Sequence, residues 1–121
     1  MPLYAALIYT PDLDWNREDP EIQARTANYG EFGKANEAVI RGGSALYPTA
    51  SATTVRVRGG RGGDVVTTDG PYAETKEILS GFYLLDCPDL DAAVKVAADI
   101  PGAWEGAVEV RPVMLTWEDR D

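Results

Sequence analysis

Ser80-Gly81-Phe82-Tyr83-Leu84-Leu85-Asp86-Cys87, followed at once by Pro88-Asp89-Leu90, decides the fold. The first eight residues are a short, aromatic-rich apolar run of strand length. Pro88-Asp89 then opens a helix in which Leu90, Ala93, Val94 and Ala97 recur at i, i+3, i+4 and i+7. That helix ends before Pro101-Gly102. A closing strand follows over Ala107 to Trp117, and Pro112 inside it predicts an edge position or a bulge.

The same strand-then-helix order occurs at the other end of the chain. Leu3-Tyr4-Ala5-Ala6-Leu7-Ile8-Tyr9 reads as a buried strand, ended by Thr10-Pro11-Asp12. Asp12 to Asp19 is a polar connection. Asp19 then suits an N-cap, Pro20 the first helical position, and Glu21 the positive end of the dipole. Ile22, Tyr29, Phe32, Asn36, Val39 and Ile40 give this helix one mainly apolar face, with Gly42-Gly43 as its stop. Gly30 and Gly33 weaken its middle by up to ~1 kcal/mol each, a cost expected to mark close packing against a sheet.

Between the two units lie further strands. Ser44-Ala45-Leu46-Tyr47 is a short one broken by Pro48. Thr53-Thr54-Val55-Arg56-Val57-Arg58 alternates, valines one way and arginines the other. Gly59-Gly60-Arg61-Gly62-Gly63 leads from it into Asp64-Val65-Val66-Thr67-Thr68, which makes a hairpin. The glycine run resembles a phosphate-binding loop only in composition, because no helix start follows it.

The predicted order is β, α, two or three strands, β, α, β. This is an α+β chain of ferredoxin-like βαββαβ plan with an added hairpin, in a single domain over residues 1–121. Two helices cannot cover both faces of a sheet of four or five strands, so both are expected on one face. The other face then presents Tyr, Val, Leu and Trp side chains that need a cover. A second copy of the chain across a two-fold axis is the simplest one.

Composition narrows function more by exclusion than by indication. In 121 residues, 45% are hydrophobic and 26% charged, which is ordinary for a globular protein. Twenty acidic residues against 11 basic ones give a net charge of −9. Such a surface repels phosphate backbones and anionic lipid, so neither nucleic acid nor membrane is expected as a partner. No apolar run approaches the ~20 residues that span a bilayer. The single cysteine, Cys87, allows no intrachain disulfide, and the N-terminus lacks the pattern of a signal peptide, so a cytoplasmic location is expected. The chain has no histidine. That removes Ser-His-Asp and Cys-His pairings and imidazole-ligated metal sites; with one cysteine, neither metal nor cofactor is expected. Cys87 at a strand end reads as a small buried hydrophobe rather than a nucleophile.

The densest cluster of special residues is Asp69-Gly70-Pro71-Tyr72-Ala73-Glu74-Thr75-Lys76-Glu77. Gly70 and Pro71 set a turn that orients Asp69 and Tyr72, and Pro71 can open a short helical turn through Lys76. Glu74 and Lys76 add both charge signs beside a phenol, a mixture suited to orienting a small polar ligand. Turn chemistry alone also accounts for Asp, Gly and Pro, with Tyr72 in the core and Glu74, Lys76 and Glu77 solvated or paired. Arg56 and Arg58 read as solvating one sheet face. Arg111, between Glu109 and Val113, suits either an anion or a salt bridge.

This segment resembles the YCII-related family and, within it, the DGPF branch named for the turn, with Tyr72 where that branch has Phe. Glu74-Thr75-Lys76-Glu77, Gly81-Phe82-Tyr83, Val108-Glu109-Val110-Arg111-Pro112, Thr54-Val55-Arg56-Val57 and Gly42-Gly43 extend the likeness along the whole chain. The resemblance implies a homodimer of the dimeric α+β barrel type with a small cleft near the Asp-Gly-Pro turn at the subunit interface. A His-Asp pair proposed as catalytic in the wider family has no counterpart here. Members of the branch occur alongside sigma factors of the extracytoplasmic-function type, which implies a regulatory role and a protein partner.

Two functions of different class follow. One is a dimeric small-molecule-binding or accessory domain linked to sigma-factor regulation. The other is a histidine-independent lyase or isomerase acting on a small organic acid, with Asp69, Glu74 or Tyr72 as its acid–base group. The ligand-binding candidates are Asp69, Gly70, Pro71, Tyr72, Glu74, Lys76, Tyr83 and Arg111; no residue is assigned a catalytic role.

Overall fold

The computed structural model describes residues 2–12, 18–73 and 75–114, and all structural statements concern these. Along the chain run β1 (Leu3–Pro11), α1 (Pro20–Ala35), β2 (Ile40–Ala45), β3 (Thr53–Arg58), β4 (Asp64–Asp69), β5 (Glu77–Asp86), α2 (Leu90–Ala98), α3 (Gly102–Glu105) and β6 (Ala107–Pro112). A single 3-10 turn, Thr49–Ser51, precedes β3.

Four strands form an antiparallel sheet in the order β2-β5-β1-β6, while β3 and β4 form a separate two-stranded hairpin. This is a mixed α+β architecture, compatible with a ferredoxin-like plan. Strand β6 lies at the sheet edge and ends at Pro112, whose missing N–H is tolerated there. The expected continuation to Trp117 lies outside the described residues.

Alternation along β1 explains the layering. Tyr4, Ala6, Ile8 and Thr10 are buried, while Leu3, Ala5, Leu7 and Tyr9 are half-buried on the opposite face. The buried series packs with Leu85, Cys87, Phe32, Ala93, Ala97 and Ile100 in one core. Alanine at positions 6, 93 and 97 lets α2 lie close to the strands. Leu85 and Ile100 are the core's largest fully buried side chains.

Both long helices start where capping chemistry places them. Asp19 accepts a hydrogen bond from the Glu21 amide at 2.9 Å, and Asp89 one from the Ala92 amide at 2.9 Å. Helix α1 stops at Ala35, earlier than Gly42-Gly43, because the Asn36 side-chain amide donates to the Phe32 carbonyl at 3.0 Å. Gly42 and Gly43 instead lie inside β2. Gly43 has φ +149°, and a Cβ there would meet the Phe82 carbonyl at 2.5 Å.

Three other expectations change. Around Gly30 and Gly33 there is nothing within 4 Å of an added Cβ, so neither glycine marks close helix–sheet packing. Close approach occurs at Gly102, where a Cβ would meet Ile8 Cγ2 at 2.4 Å. Strand β2 takes in Ile40 to Ala45 and leaves Leu46 and Tyr47 beyond its end, Tyr47 almost fully exposed. The segment after Gly70 forms bends rather than a helical turn among its described residues.

Candidate functional site

On the helix side of the sheet, α1 does not close down on the strands along its whole length. A cavity of about 330 Å³ remains between Arg25, Thr26 and Tyr29 of α1 and the strand residues Ile8, Thr10, Gly43, Ala45, Gly81 and Tyr83. Ser44, Ser80, Phe82 and Glu105 complete its lining, and most of its wall is apolar.

Local irregularity makes this space. The β1–β5 register shifts between Ile8 and Tyr9, a bulge that places Ser80 beside Thr10. Thr10 Oγ1 donates to Ser80 Oγ at 3.0 Å, and Ser80 Oγ donates to the Ile8 carbonyl at 3.2 Å. Gly81 and Gly43 project no side chains into the opening. A Cβ at Gly81 would meet the Ser44 carbonyl at 2.8 Å. Phe32 stacks at a tilt on Tyr83, ring centroids 5.0 Å apart, and holds that ring at the cavity wall.

The rim carries one ion pair. Arg25 Nε and Nη2 both donate to Glu105 Oε1, at 2.8 and 2.6 Å, tying α1 to α3. Arg25 and Tyr29 are one helical turn apart and share a face. Burial pushes the Tyr29 phenol above its ordinary 10.0, and a hydrogen bond from the Gly102 backbone opposes this in part. Burial likewise raises Tyr83. Both phenols therefore keep their protons at neutral pH.

Those shifts predict alkaline sensitivity. A phenol bound more tightly by its proton in the folded state stabilises the fold fully below the ordinary pKa of 10.0. Stability is lost as pH rises from there through the folded value. Cys87, also raised by burial from an ordinary 9.0, adds to the same fall. Urea midpoints should be level between pH 7 and about pH 9 and then decline. Tyr83→Phe should make the decline shallower; an unchanged slope would show that this phenol titrates alike folded and unfolded.

The residues singled out from sequence occupy three places. Asp69 ends β4, exposed and opposite Thr53, and Gly70 has φ +107°. The Gly70 amide donates to the Ala52 carbonyl at 2.8 Å, and its carbonyl accepts from Thr54 Oγ1 at 2.8 Å. Pro71, Tyr72 and Lys76 border an open groove of about 960 Å³ with Tyr9, Leu46, Tyr47 and Leu79. Tyr72 is 78% exposed, with the Arg56 guanidinium 5.1 Å from its ring centre. Glu74 lies outside the described residues. Tyr83 belongs to the cavity under α1 instead. Arg111 is on β6, opposite Ala5, and pairs with Glu109 at 3.2 Å on the sheet face away from that cavity.

Arg25, Thr10, Ser80 and Glu105 were not legible as site residues in the sequence. Tyr83 stood out as a ligand-binding candidate, and Tyr29 as part of an apolar helix face. Among the described residues, no group of three or more Cys, Asp or Glu side chains is arranged to hold a metal ion. No described helix is long and apolar enough to cross a membrane.

A four-stranded antiparallel sheet with helices on one face and a hollow beneath the first helix defines the class of protein. The YCII-related domain family matches residues 3–117, and the chain belongs to that family. It is also similar to an uncharacterized protein of Rhizobium meliloti (strain 1021), 38% identical over 123 residues, covering 93% of each chain.

Proposed function

We propose that the chain is one protomer of a homodimer that binds a small molecule in the cavity between α1 and the sheet. The observation that carries this reading is the cavity itself: a largely apolar recess of about 330 Å³ with a few convergent hydroxyls and one ion pair at its rim. That combination is the usual makeup of a small-ligand site. The groove beside Pro71, Tyr72 and Lys76 is wider and more open, and Tyr47 and Tyr72 in it are exposed rather than enclosing.

Dimerisation is supported by the opposite sheet face. Leu3, Ala5, Leu7, Tyr9, Phe82 and Leu84 lie on it together, half-buried, with no helix over them among the described residues. A second copy laid across this face would give the α+β barrel arrangement and leave the cavity open on the outer side. Binding is favoured over proton abstraction because the cavity phenols hold their protons and the Glu105 carboxylate is paired with Arg25.

Thr26 provides the test. It is exposed on α1, borders the cavity, and donates its hydroxyl to the Ile22 carbonyl at 2.9 Å. Thr26→Phe should leave the melting temperature within about 2 °C of wild type while filling the mouth of the cavity. Fragment binding followed by amide chemical shifts should map to Ile8, Tyr29, Gly43 and Gly81 in the wild type and vanish in the variant. Shifts clustered at Tyr47, Tyr72 and Lys76 instead would move the site to the open groove.

A further inference from the structure

Resting on the assignment of the cavity under α1 as the ligand site, we infer that it selects a small, planar, uncharged aromatic molecule bearing a hydrogen-bond-accepting oxygen, as in an aryl ketone or aldehyde. Four properties of the lining lead there, and each excludes something.

Size excludes large ligands. About 330 Å³ sits at the lower end of the roughly 300–1,000 Å³ of small-molecule sites and holds a substituted ring, not a nucleotide or peptide. Shape favours planarity, since backbone at Gly43 and Gly81 forms part of the wall without side chains while Tyr29 and Tyr83 bring rings to it. A flat ring can lie against such a wall with favourable aromatic contacts.

Charge excludes ions. Arg25 and Glu105 are the ionisable groups of the lining with opposite charges, and they are spent on each other at 2.6 Å. A carboxylate reaching Arg25 Nη1 would be repelled by Glu105, which already holds Nε and Nη2. An ammonium reaching Glu105 Oε2 would be repelled by Arg25 in the same way. Either ion would otherwise lose its hydration without a counter-charge.

Hydrogen-bond direction selects an acceptor. Thr10 gives its proton to Ser80, and Ser80 gives its own to the Ile8 carbonyl, so neither hydroxyl has a free proton. The Tyr29 oxygen takes a hydrogen bond from the Gly102 backbone, which leaves the phenolic proton free to donate. Tyr83 has no hydrogen bond from its hydroxyl among the described residues, and it too is protonated. Two half-buried phenol donors in an apolar recess are best satisfied by a carbonyl oxygen.

Acetophenone, benzoate and benzylammonium present the same ring with a neutral acceptor, an anion and a cation. Each is titrated at pH 7 into the isotope-labelled full chain, with the amides of Tyr29, Gly43 and Gly81 as the readout. Acetophenone should shift these amides saturably and bind about tenfold more tightly than either ion. Tyr83→Phe should weaken acetophenone about fivefold, the value of one hydrogen bond, with the melting temperature retained. Tighter benzoate or benzylammonium binding at the same amides would overturn the ligand class and leave the cavity as the site. Equal affinity in Tyr83→Phe would remove that phenol as the donor and overturn the acceptor assignment. No saturable shift there with any of the three, and none lost in Thr26→Phe, would overturn the site as well.

Discussion

Leu84→Glu should convert the proposed dimer to a monomer without unfolding the chain. Leu84 lies on central strand β5, on the helix-free face, opposite Ala5 of β1 and Gly42 of β2. It is half-buried in the protomer, so a glutamate there can keep its carboxylate in water when the chain is alone. In a face-to-face dimer the same carboxylate is taken out of water, and the two-fold axis brings a second one near it. Leaving a buried charge unpaired costs about 3–5 kcal/mol, so the dissociation constant should rise at least a hundredfold. Light scattering at micromolar concentration should read two chain masses for wild type and one for the variant, with unchanged far-ultraviolet circular dichroism. A wild-type chain that is monomeric in that range, or a variant that stays dimeric, would remove the helix-free face as the interface.

Gly102→Val should cost about 3 kcal/mol, a drop of roughly 10 °C in melting temperature for a chain of this length. Gly102 opens α3 and is buried where that helix meets β1 and α1. Even a methyl group would stand 2.4 Å from Ile8 Cγ2, 2.9 Å from the Tyr29 hydroxyl and 3.4 Å from Thr10 Cγ2. Ile8 is 4% exposed and fixed in the central strands, so it cannot give way. Tyr29 would have to move, and with it one wall of the cavity under α1. Loss of stability and loss of fragment binding should therefore arrive together. Gly30→Ala in α1 is the contrast, since nothing lies within 4 Å of its added methyl, and it should hold or raise the melting temperature. If Gly102→Val melts like wild type, α3 is not packed against Ile8.

Periodicity and capping made much of the fold legible. Asp19-Pro20 and Asp89 begin their helices as local hydrogen-bond chemistry requires, because a cap depends on residues two or three positions away. The alternation in Thr53–Arg58 and its glycine-rich turn likewise specify the hairpin through neighbours in sequence. Pro112 placed β6 at an edge because a proline cannot donate to a neighbouring strand. The amphipathic stripe of α2 was only half right: Ala93 and Ala97 are buried, while Leu90 and Val94 stay about half exposed. Small residues set how near the helix lies, and their larger neighbours are left at the margin.

The candidate site was far less legible. Attention to the Asp69–Glu77 cluster followed turn chemistry, which is local and therefore visible. The cavity draws Thr10, Arg25, Tyr29, Ser80 and Glu105 from β1, α1, β5 and α3. None of these residues is unusual where it stands in the sequence.

The sequence by itself determined the strands other than β2, the helix starts, the hairpin and the acidic, histidine-free chemistry, because each depends on residue types and short spacings. Tertiary structure alone decided that Gly102 rather than Gly30 sits at a close approach, and that a bulge at Ile8 and Tyr9 brings Ser80 to Thr10. It also decided that Arg25 spends its charge on Glu105 across 80 residues of chain. These outcomes depend on distances between segments remote in sequence, and only packing sets such distances.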